Sequence, residues 1–248
     1  MLSIKNLSKK YSNGFWGIKN FDLHIKEKEL IAIVGPNGSG KTTIINCLLG
    51  VVSPTKGEIS LNGKKNSEKE FKEDITYVPD ELLLIDALTG KEYIDFVSSM
   101  YKNINKEKIK NLIQIYNMEE AMNEVITNYS HGMKKKLQLI AAFMIGSKLI
   151  VLDEPFRGLD VEAMIITKKI FTKLLKEGKS ILLSTHDLLL ADNISDRIAI
   201  ISKGEKVEED TNSELKKKYN CDTLEEVFII ASLDKNRSDK IDQAIYDL

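Results

Sequence analysis

A glycine-rich octapeptide, GPNGSGKT at Gly35–Thr42, constrains this chain more than any other feature. An apolar run at Leu30–Val34 precedes it and predicts a strand buried on both faces, while Thr43–Leu49 after it predicts a helix. In this order, the loop directs consecutive backbone N–H groups and the positive end of the helix dipole at one point. We therefore expect a polyphosphate to bind there, with Lys41 reaching its β- and γ-phosphates and the Thr42 hydroxyl coordinating Mg²⁺.

We call Gly35–Thr42 the P-loop. All of its residues, and Thr43 directly after it, are predicted to contact phosphate. A glycine turn that binds nothing is the alternative, but the strand before it and the helix after it favour the binding loop. The expected contacts are Gly35, Pro36, Asn37, Gly38, Ser39, Gly40, Lys41, Thr42 and Thr43.

The size and composition of the chain are those of a globular protein with one large domain, or with a domain and a subdomain. Its 248 residues are 42% hydrophobic and 29% charged, which allows a sizeable core. The formal net charge is −1, so we expect no nucleic-acid partner. Two cysteines, Cys47 and Cys221, favour a reducing, cytosolic setting. Without a signal peptide or a long apolar run, any membrane span is expected to belong to another chain.

Strand signals that alternate with helix signals predict an α/β fold with a mostly parallel sheet. The strand-like segments are residues 3–7, 21–25, 30–34, 57–61, 149–152, 181–184 and 197–201. Asn62-Gly63 after the fourth of them predicts a type I′ hairpin turn. The predicted divisions are a core of residues 1–79 and 149–215, a helical insertion at about 80–148, and a C-terminal helical or polar extension at 216–248.

After the P-loop, the second candidate site element is the segment LIVLDE at Leu149–Glu154. It predicts an apolar strand that ends in two carboxylates. The end of a strand is where an open α/β sheet presents ligand-binding groups. Asp153 is placed to hold Mg²⁺, directly or through water. Glu154 is placed to orient and deprotonate a water that attacks the γ-phosphate. An ordinary acidic turn before Pro155 is the alternative, which the P-loop elsewhere in the chain disfavours.

His186 follows the strand-like segment 181–184 in the sequence Ser-Thr-His-Asp. An isolated histidine is more often a structural residue than a ligand. Because this one follows a strand expected to lie beside the nucleotide, we interpret it as a γ-phosphate contact.

Five motifs in a fixed order resemble the ATP-binding subunit of an ABC transporter. They are GPNGSGKT at 35–42, YSHGM at 129–133, LIVLDE at 149–154, GLD at 158–160 and STH at 184–186, and the resemblance covers about residues 1–228. It implies a P-loop (RecA-like) core with a mostly parallel sheet, an antiparallel β subdomain and an inserted helical subdomain. It also implies that two copies, or one copy and a close homologue, stack head to tail and enclose two ATP molecules.

The resemblance assigns roles to residues outside the P-loop. Ser130 and Gly132 of the signature segment would contact the γ-phosphate held by the partner copy, and Asp160 would lie beside it. Tyr11, about 24 residues before the P-loop, would stack on adenine, with Trp16 as the fallback. Lys41, Glu154 and His186 would carry the catalysis.

The three lysines that follow the signature segment, Lys134, Lys135 and Lys136, are interpreted as a solvated helix face rather than as a binding patch. The helix itself is expected to begin at Ser130, whose side chain caps it. Its apolar stripe, at Met133, Leu137, Ile140 and Met144, predicts one buried face.

Two positions depart from the family pattern. Asp80 follows the segment ITYVP where the family normally has glutamine. A carboxylate there can approach Mg²⁺ or the attacking water, so Asp80 joins Thr42 and Asp153 as a candidate metal ligand. His131 stands at a glycine position of the signature, but Ser130 and Gly132 keep the pair that faces the phosphate.

These departures, together with the segment TLEEVF at 223–228, resemble bacterial exporter-type members that pair with a separately encoded membrane permease. We therefore predict a Mg²⁺-dependent ATPase, peripheral on the cytoplasmic face of the membrane, that drives export. The segment from Asp80 to about Tyr101 would meet the permease. A soluble ABC-type ATPase in a non-transport process is the alternative, and a module that holds ATP without turnover is a third interpretation.

Overall fold

The computed structural model of the protein describes residues 1–232, and these divide into two compact units. The first unit contains Met1–Lys72 and the residues from Leu182 onward, and the second contains Glu73–Ile181. The part of the predicted extension at 233–248 lies outside the described residues.

An antiparallel sheet forms much of the first unit. Its strands are β1 (Leu2–Lys10), β2 (Trp16–Ile25), β4 (Lys56–Leu61) and β5 (Lys64–Lys65), in the order β2-β1-β4-β5. Leu2 of β1 is opposite Ile25 on one side and Leu61 on the other. Asn62 and Gly63 both have positive φ, 50° and 80°, which a type I′ turn requires. The predicted hairpin is therefore confirmed.

A second set of strands in the first unit positions the P-loop. The strands are β3 (Leu30–Val34), β9 (Arg197–Ser202) and β10 (Glu205–Asp210). β3 pairs in parallel with β9, while β10 is antiparallel to β9. Every residue of β3 is buried, as the unbroken apolar run predicted. The chain then passes through the P-loop directly into α1 (Lys41–Leu48).

The remaining helices of the first unit are α2 (Lys69–Glu73, which reaches the first residue of the second unit), α7 (Leu188–Ile194), α8 (Asn212–Tyr219) and α9 (Leu224–Ser232). β8 (Ser180–Thr185) begins in the second unit and ends in the first. The segment 223–226 forms a capping box before α9: Glu226 N–H donates to Thr223 Oγ1 at 3.2 Å and Thr223 N–H donates to Glu226 Oε2 at 3.3 Å.

The second unit combines one parallel strand pair with helices. β6 (Ile75–Val78) pairs in parallel with β7 (Leu149–Asp153). The helices are α3 (Gly90–Ser99), α4 (Lys106–Ile115), α5 (His131–Ile145) and α6 (Val161–Lys176), with two short 3₁₀ turns at Ala121–Asn123 and Ile126–Asn128. The predicted α/β fold with parallel and antiparallel sheets is confirmed. The predicted domain boundaries stay predictions.

Candidate nucleotide site

The P-loop depends on glycine at two positions because other backbone lies against it. A Cβ at Gly40, whose φ is 116°, would lie 2.4 Å from the Gly17 carbonyl oxygen. A Cβ at Gly35 would lie 2.3 Å from the Ile201 carbonyl oxygen. Both distances are shorter than real Cβ contacts, so packing requires glycine at both positions, and at Gly40 the positive φ requires it as well.

Two polar groups of the P-loop fit a phosphate ligand. The Lys41 ammonium, on a residue only 7% exposed, donates to the carbonyl oxygens of Gly35 at 2.6 Å and Pro36 at 3.3 Å. The Ser39 hydroxyl is buried and has no hydrogen-bond partner within residues 1–232. Buried hydroxyls normally have a partner, so a phosphate oxygen would satisfy this one. The residues present therefore fit the predicted polyphosphate.

A cavity of about 170 Å³ lies over the P-loop. Its lining residues are Phe15, Gly17, Pro36, Asn37, Gly38, Ser39, Gly40, Lys41, Thr42 and Thr43. Every P-loop residue predicted to contact phosphate is in this set except Gly35. Phe15 was not predicted to line the site, although the residue after it, Trp16, was predicted as the fallback aromatic for adenine. The Phe15 side chain is 57% exposed.

The predicted adenine platform, Tyr11, packs beside this cavity. Its hydroxyl lies 3.3 Å from Thr43 Oγ1, and its ring stacks on Phe15 with centroids 6.5 Å apart and planes at 24°. A Cβ on Gly17 would lie 2.8 Å from both the Tyr11 ring and Thr43 Oγ1, so a larger residue there would displace one of these side chains. Trp16 instead has the Lys10 ammonium 5.4 Å from its ring. Tyr11 and Phe15 together thus form a two-ring surface beside the P-loop.

His186 follows β8 in the first unit, where its side chain is exposed. The next residue, Asp187, caps α7 by accepting a hydrogen bond from Leu190 N–H at 2.9 Å. The turn that carries His186 is therefore fixed on its downstream side by a helix start.

The acidic element of the second unit ends β7. Asp153 is its last residue and is 7% exposed. Glu154 follows with φ 45°, a left-handed conformation that costs a non-glycine residue about 1–3 kcal/mol and is found disproportionately at functional sites.

Asp80 lies two residues beyond the end of β6 and is engaged by a cation that sequence reasoning missed. Arg157 Nη1 donates to Asp80 Oδ2 at 2.8 Å, with side-chain exposures of 66% and 33%. Arg157 lies three residues after Glu154 in the sequence PFRG. No local pattern could have paired it with a residue 77 positions earlier, because the two meet only through folding.

The interpretation of Lys134, Lys135 and Lys136 as a solvated face is wrong. Lys135 is 0% exposed, and its ammonium donates to the Pro79 carbonyl oxygen at 3.0 Å. Lys134 pairs with Asp86 and Lys136 pairs with Asp160, each at 2.8 Å. The correction follows from helix geometry: on a helix as deeply packed as α5, three consecutive side chains point in different directions, so they cannot share one solvated face.

Lys135 lies among carboxylates. Burial lowers the pKa of Lys135 to about 8, against the opposing influence of Asp80, Asp153 and Glu154. Burial, aided by Asp153 and Asp80, likewise raises the pKa of Tyr77 to about 12. We call Asp80, Asp153, Glu154, Lys135 and Arg157 the charged cluster.

The signature segment packs against the loop that ends at Asp160. Ser130 Oγ accepts a hydrogen bond from Met133 N–H at 3.2 Å and thereby caps α5, as predicted. A Cβ on Gly158 would lie 2.2 Å from the His131 ring, so the imidazole covers this glycine. Asp160 accepts a hydrogen bond from Ala163 N–H at 2.7 Å, which caps α6. The Lys136 ammonium and that cap lower the pKa of the Asp160 carboxyl.

Within residues 1–232 no group of three or more histidine, cysteine or acidic side chains is arranged to hold a metal ion on its own. A Mg²⁺ bound through one or two protein ligands and the phosphates of a nucleotide needs no such group. None of the helices in this part of the chain has the length and apolar character needed to span a bilayer.

Comparison with known proteins adds to this geometry. The sequence profile that describes ABC transporters matches residues 18–157. In Bacillus subtilis (strain 168), the ABC-type transporter ATP-binding protein EcsA is 31% identical over 224 residues, which is 88% of this chain and 90% of that protein. In the same organism, the SkfA peptide export ATP-binding protein SkfE is 32% identical over 212 residues, which is 84% of this chain and 88% of that protein.

Two solved structures share the fold. An ATP-binding subunit of an ABC transporter aligns with a TM-score of 0.87 and 26% identity over 93% of this chain and 99% of its own. A dimeric post-hydrolysis state of the ATP-binding cassette MJ0796, bound to ADP and Pi, aligns with a TM-score of 0.75 and 27% identity over 86% and 99%. Fold and P-loop thus define a phosphate-binding α/β protein. More specifically, the chain belongs to the ABC transporter family, as the motif order predicted.

Proposed function

We propose that this protein is the ATP-hydrolysing subunit of an ABC exporter. Two copies associate head to tail around two ATP molecules and drive a separate membrane-spanning permease. The observation that carries the proposal is the P-loop itself, whose required glycines, lysine and unsatisfied Ser39 hydroxyl fit a polyphosphate. Family membership and the ADP- and Pi-bound dimer of a structural relative support it.

The residues of the first unit hold the substrate. The P-loop N–H groups and the Lys41 ammonium bind the β- and γ-phosphates. Tyr11, with Phe15 stacked on it, offers an aromatic face to adenine. Thr42 and Asp153 are the proposed oxygen ligands for Mg²⁺, which would neutralise charge on the β- and γ-phosphates. Asp80 is the third candidate ligand, and its pairing with Arg157 engages Oδ2.

Glu154 acts as the general base: it orients a water and accepts its proton as the water attacks the γ-phosphorus. His186 donates to the developing charge on the γ-phosphoryl oxygens. In the dimer, Ser130 and Gly132 of one copy bring the α5 N-terminus to the γ-phosphate held by the other copy. Asp160 lies beside that contact, held by Lys136 and the α6 N-terminus.

The dimer is tested with the Glu154→Gln variant of the purified chain. With ATP and Mg²⁺ it is expected to elute at twice the mass of the chain and to retain one ATP per chain in light scattering and nucleotide analysis. The Lys41→Ala, Glu154→Gln double variant is the matched control and should stay monomeric. A Glu154→Gln chain that hydrolyses ATP at the wild-type rate contradicts the assigned base.

The export assignment rests on subfamily likeness and on the similarity to SkfE, whose name specifies peptide export. It is tested by purifying a tagged copy from detergent-solubilised membranes of the source organism. We expect a protein with several membrane-spanning helices to co-purify in stoichiometric amount. We also expect the chain itself to be found in the membrane fraction, accessible from the cytoplasmic side. Recovery with ribosomes or DNA-maintenance proteins instead supports the soluble ABC-type ATPase.

A further inference from the structure

Three side chains hold the segment that leaves β6. We call Pro79–Glu81 the exit segment. Its contacts are Lys135 Nζ donating to Pro79 O at 3.0 Å, Gln138 Nε2 donating to Glu81 O at 3.0 Å, and Arg157 Nη1 donating to Asp80 Oδ2 at 2.8 Å. Two of these donors are on α5 and the third is on the loop after β7. Residues of α5 therefore fix the backbone of the exit segment, and Arg157 fixes its Asp80 carboxylate.

The burial of Lys135 is unfavourable for folding unless its partners compensate the desolvation of its charge. Lys135 is 0% exposed, and burying an ammonium costs several kcal/mol unless partners compensate it. Neighbouring α5 residues Leu137, Leu139 and Ile140, also 0% exposed, show that apolar side chains suit this helix. Packing alone therefore does not explain Lys135. What it adds is a charged donor on the exit segment, close to the carboxylates of the charged cluster.

Arg157 has a different character. Its pair with Asp80 is substantially exposed, and such pairs contribute only about 0–1 kcal/mol to stability. Its effect lies in geometry and charge. Without the guanidinium, the Asp80 carboxylate would lose the partner that orients it and would add an uncompensated negative charge to Asp153 and Glu154.

We propose that Lys135 and Arg157 are positioning residues for ATP hydrolysis, Lys135 by fixing the backbone of the exit segment and Arg157 by orienting and neutralising the Asp80 carboxylate. Neither side chain is assigned a contact with the nucleotide. The proposal rests on the proposed ATPase function and adds to it a requirement: Asp80 and Arg157 act as one unit, so their substitutions are not additive.

The first test is a double-mutant cycle on the ATPase of the purified full chain. Arg157→Gln is expected to lower kcat by up to about fivefold, as loss of one exposed charged contact allows. In the Asp80→Asn background the same change is expected to alter kcat by less than about twofold, since no carboxylate remains to be neutralised.

Lys173→Gln is the matched control, because Lys173 forms an exposed ion pair with Glu177 at 2.9 Å in the same unit. It should leave kcat unchanged. If Arg157→Gln lowers kcat by the same factor with and without Asp80, or if Lys173→Gln has the same effect, the positioning proposal is wrong. A wild-type chain without any ATPase activity instead overturns the proposed function, and this inference with it.

The second test concerns Lys135. Lys135→Met keeps the length of the side chain and removes its charge; Lys135→Arg keeps the charge. Lys135→Met is expected to lower kcat with little change in KM for ATP and without a lower melting temperature, and Lys135→Arg is expected to recover part of kcat. Equal loss of kcat in both variants, or loss that follows the melting temperature, overturns the assignment of Lys135.

Discussion

The P-loop of the first unit takes its groups from one continuous stretch of chain, whereas the charged cluster of the second unit draws on three. The P-loop acts through backbone N–H groups, so its sequence needs glycines, one lysine and a hydroxyl in fixed order. The charged cluster acts through side chains on the exit segment, on α5 and at the end of β7. A local motif therefore identifies the P-loop itself, whereas it identifies only part of the charged cluster.

The difference also concerns tolerance to substitution. At Gly35 and Gly40 a single added carbon meets backbone at 2.3–2.4 Å, so these two positions admit no larger residue unless the backbone moves. In the charged cluster, charges can compensate one another, and a second substitution can offset a first. We therefore expect that no second substitution restores the ATPase activity lost when Gly35 or Gly40 is replaced. In the charged cluster, the activity lost through one substitution is expected to depend on which other charges are present.

The largest effect is expected at Glu154. Glu154→Gln keeps the side-chain shape and removes the base, so steady-state ATP hydrolysis should fall by about 10²–10⁴-fold, the range of general-base catalysis. ATP binding should remain. Phosphate release and equilibrium binding of a fluorescent ATP analogue, measured on the same sample, check both parts. Equal losses of binding and turnover would show that Glu154 acts in binding.

Lys41→Ala comes next. Removing the ammonium should weaken ATP binding and lower the rate by about 10²–10³-fold, the scale of one lost donor to a developing charge. The Lys41 ammonium also donates to carbonyl oxygens of its own loop, so the melting temperatures of both proteins, wild type and variant, are measured to separate lost ATP binding from lost folding. Wild-type ATP affinity in this variant would contradict the assigned phosphate contact.

A smaller effect is expected at the aromatic surface beside the P-loop. Tyr11→Ala should raise KM for ATP about tenfold, because base stacking contributes about 1–3 kcal/mol. Tyr11→Phe keeps the ring and should change KM by less than about threefold. Trp16→Ala is the comparison variant. If it raises KM while Tyr11→Ala does not, adenine stacks on Trp16 instead.

The last expected effect is on stability rather than on catalysis: a pH dependence of unfolding at Lys135. Its folded pKa is about 8, below the ordinary 10.5. Between these values the unfolded chain binds a proton that the folded chain does not, so raising the pH favours folding. The free energy of unfolding of wild type, relative to Lys135→Met, should therefore rise between about pH 8 and pH 10.5. Urea titrations at pH 7.5 and pH 10 measure this difference, and parallel pH curves for the two proteins would contradict it.

Much of the fold followed from local patterns. The apolar run at Leu30–Val34, the Asn62-Gly63 turn and the Ser130 cap each identify an element, because period, turn geometry and capping are properties of a few adjacent residues. Phe15 was missed because its position over the P-loop depends on how the chain turns between β1 and β2. The lysines after Ser130 were misinterpreted because a charged triplet gives no measure of how deeply its helix is buried.

The sequence by itself determined the family and the P-loop with its strand and helix, and it predicted the acidic pair Asp153 and Glu154 at the end of a strand. Only the tertiary structure decided that Lys135 is buried, that Arg157 engages Asp80, and that His131 covers Gly158. The physical reason is the range of the interactions. Backbone conformation and capping are fixed by neighbours along the chain, whereas desolvation and charge pairing are fixed by residues that folding brings together from dozens of positions away.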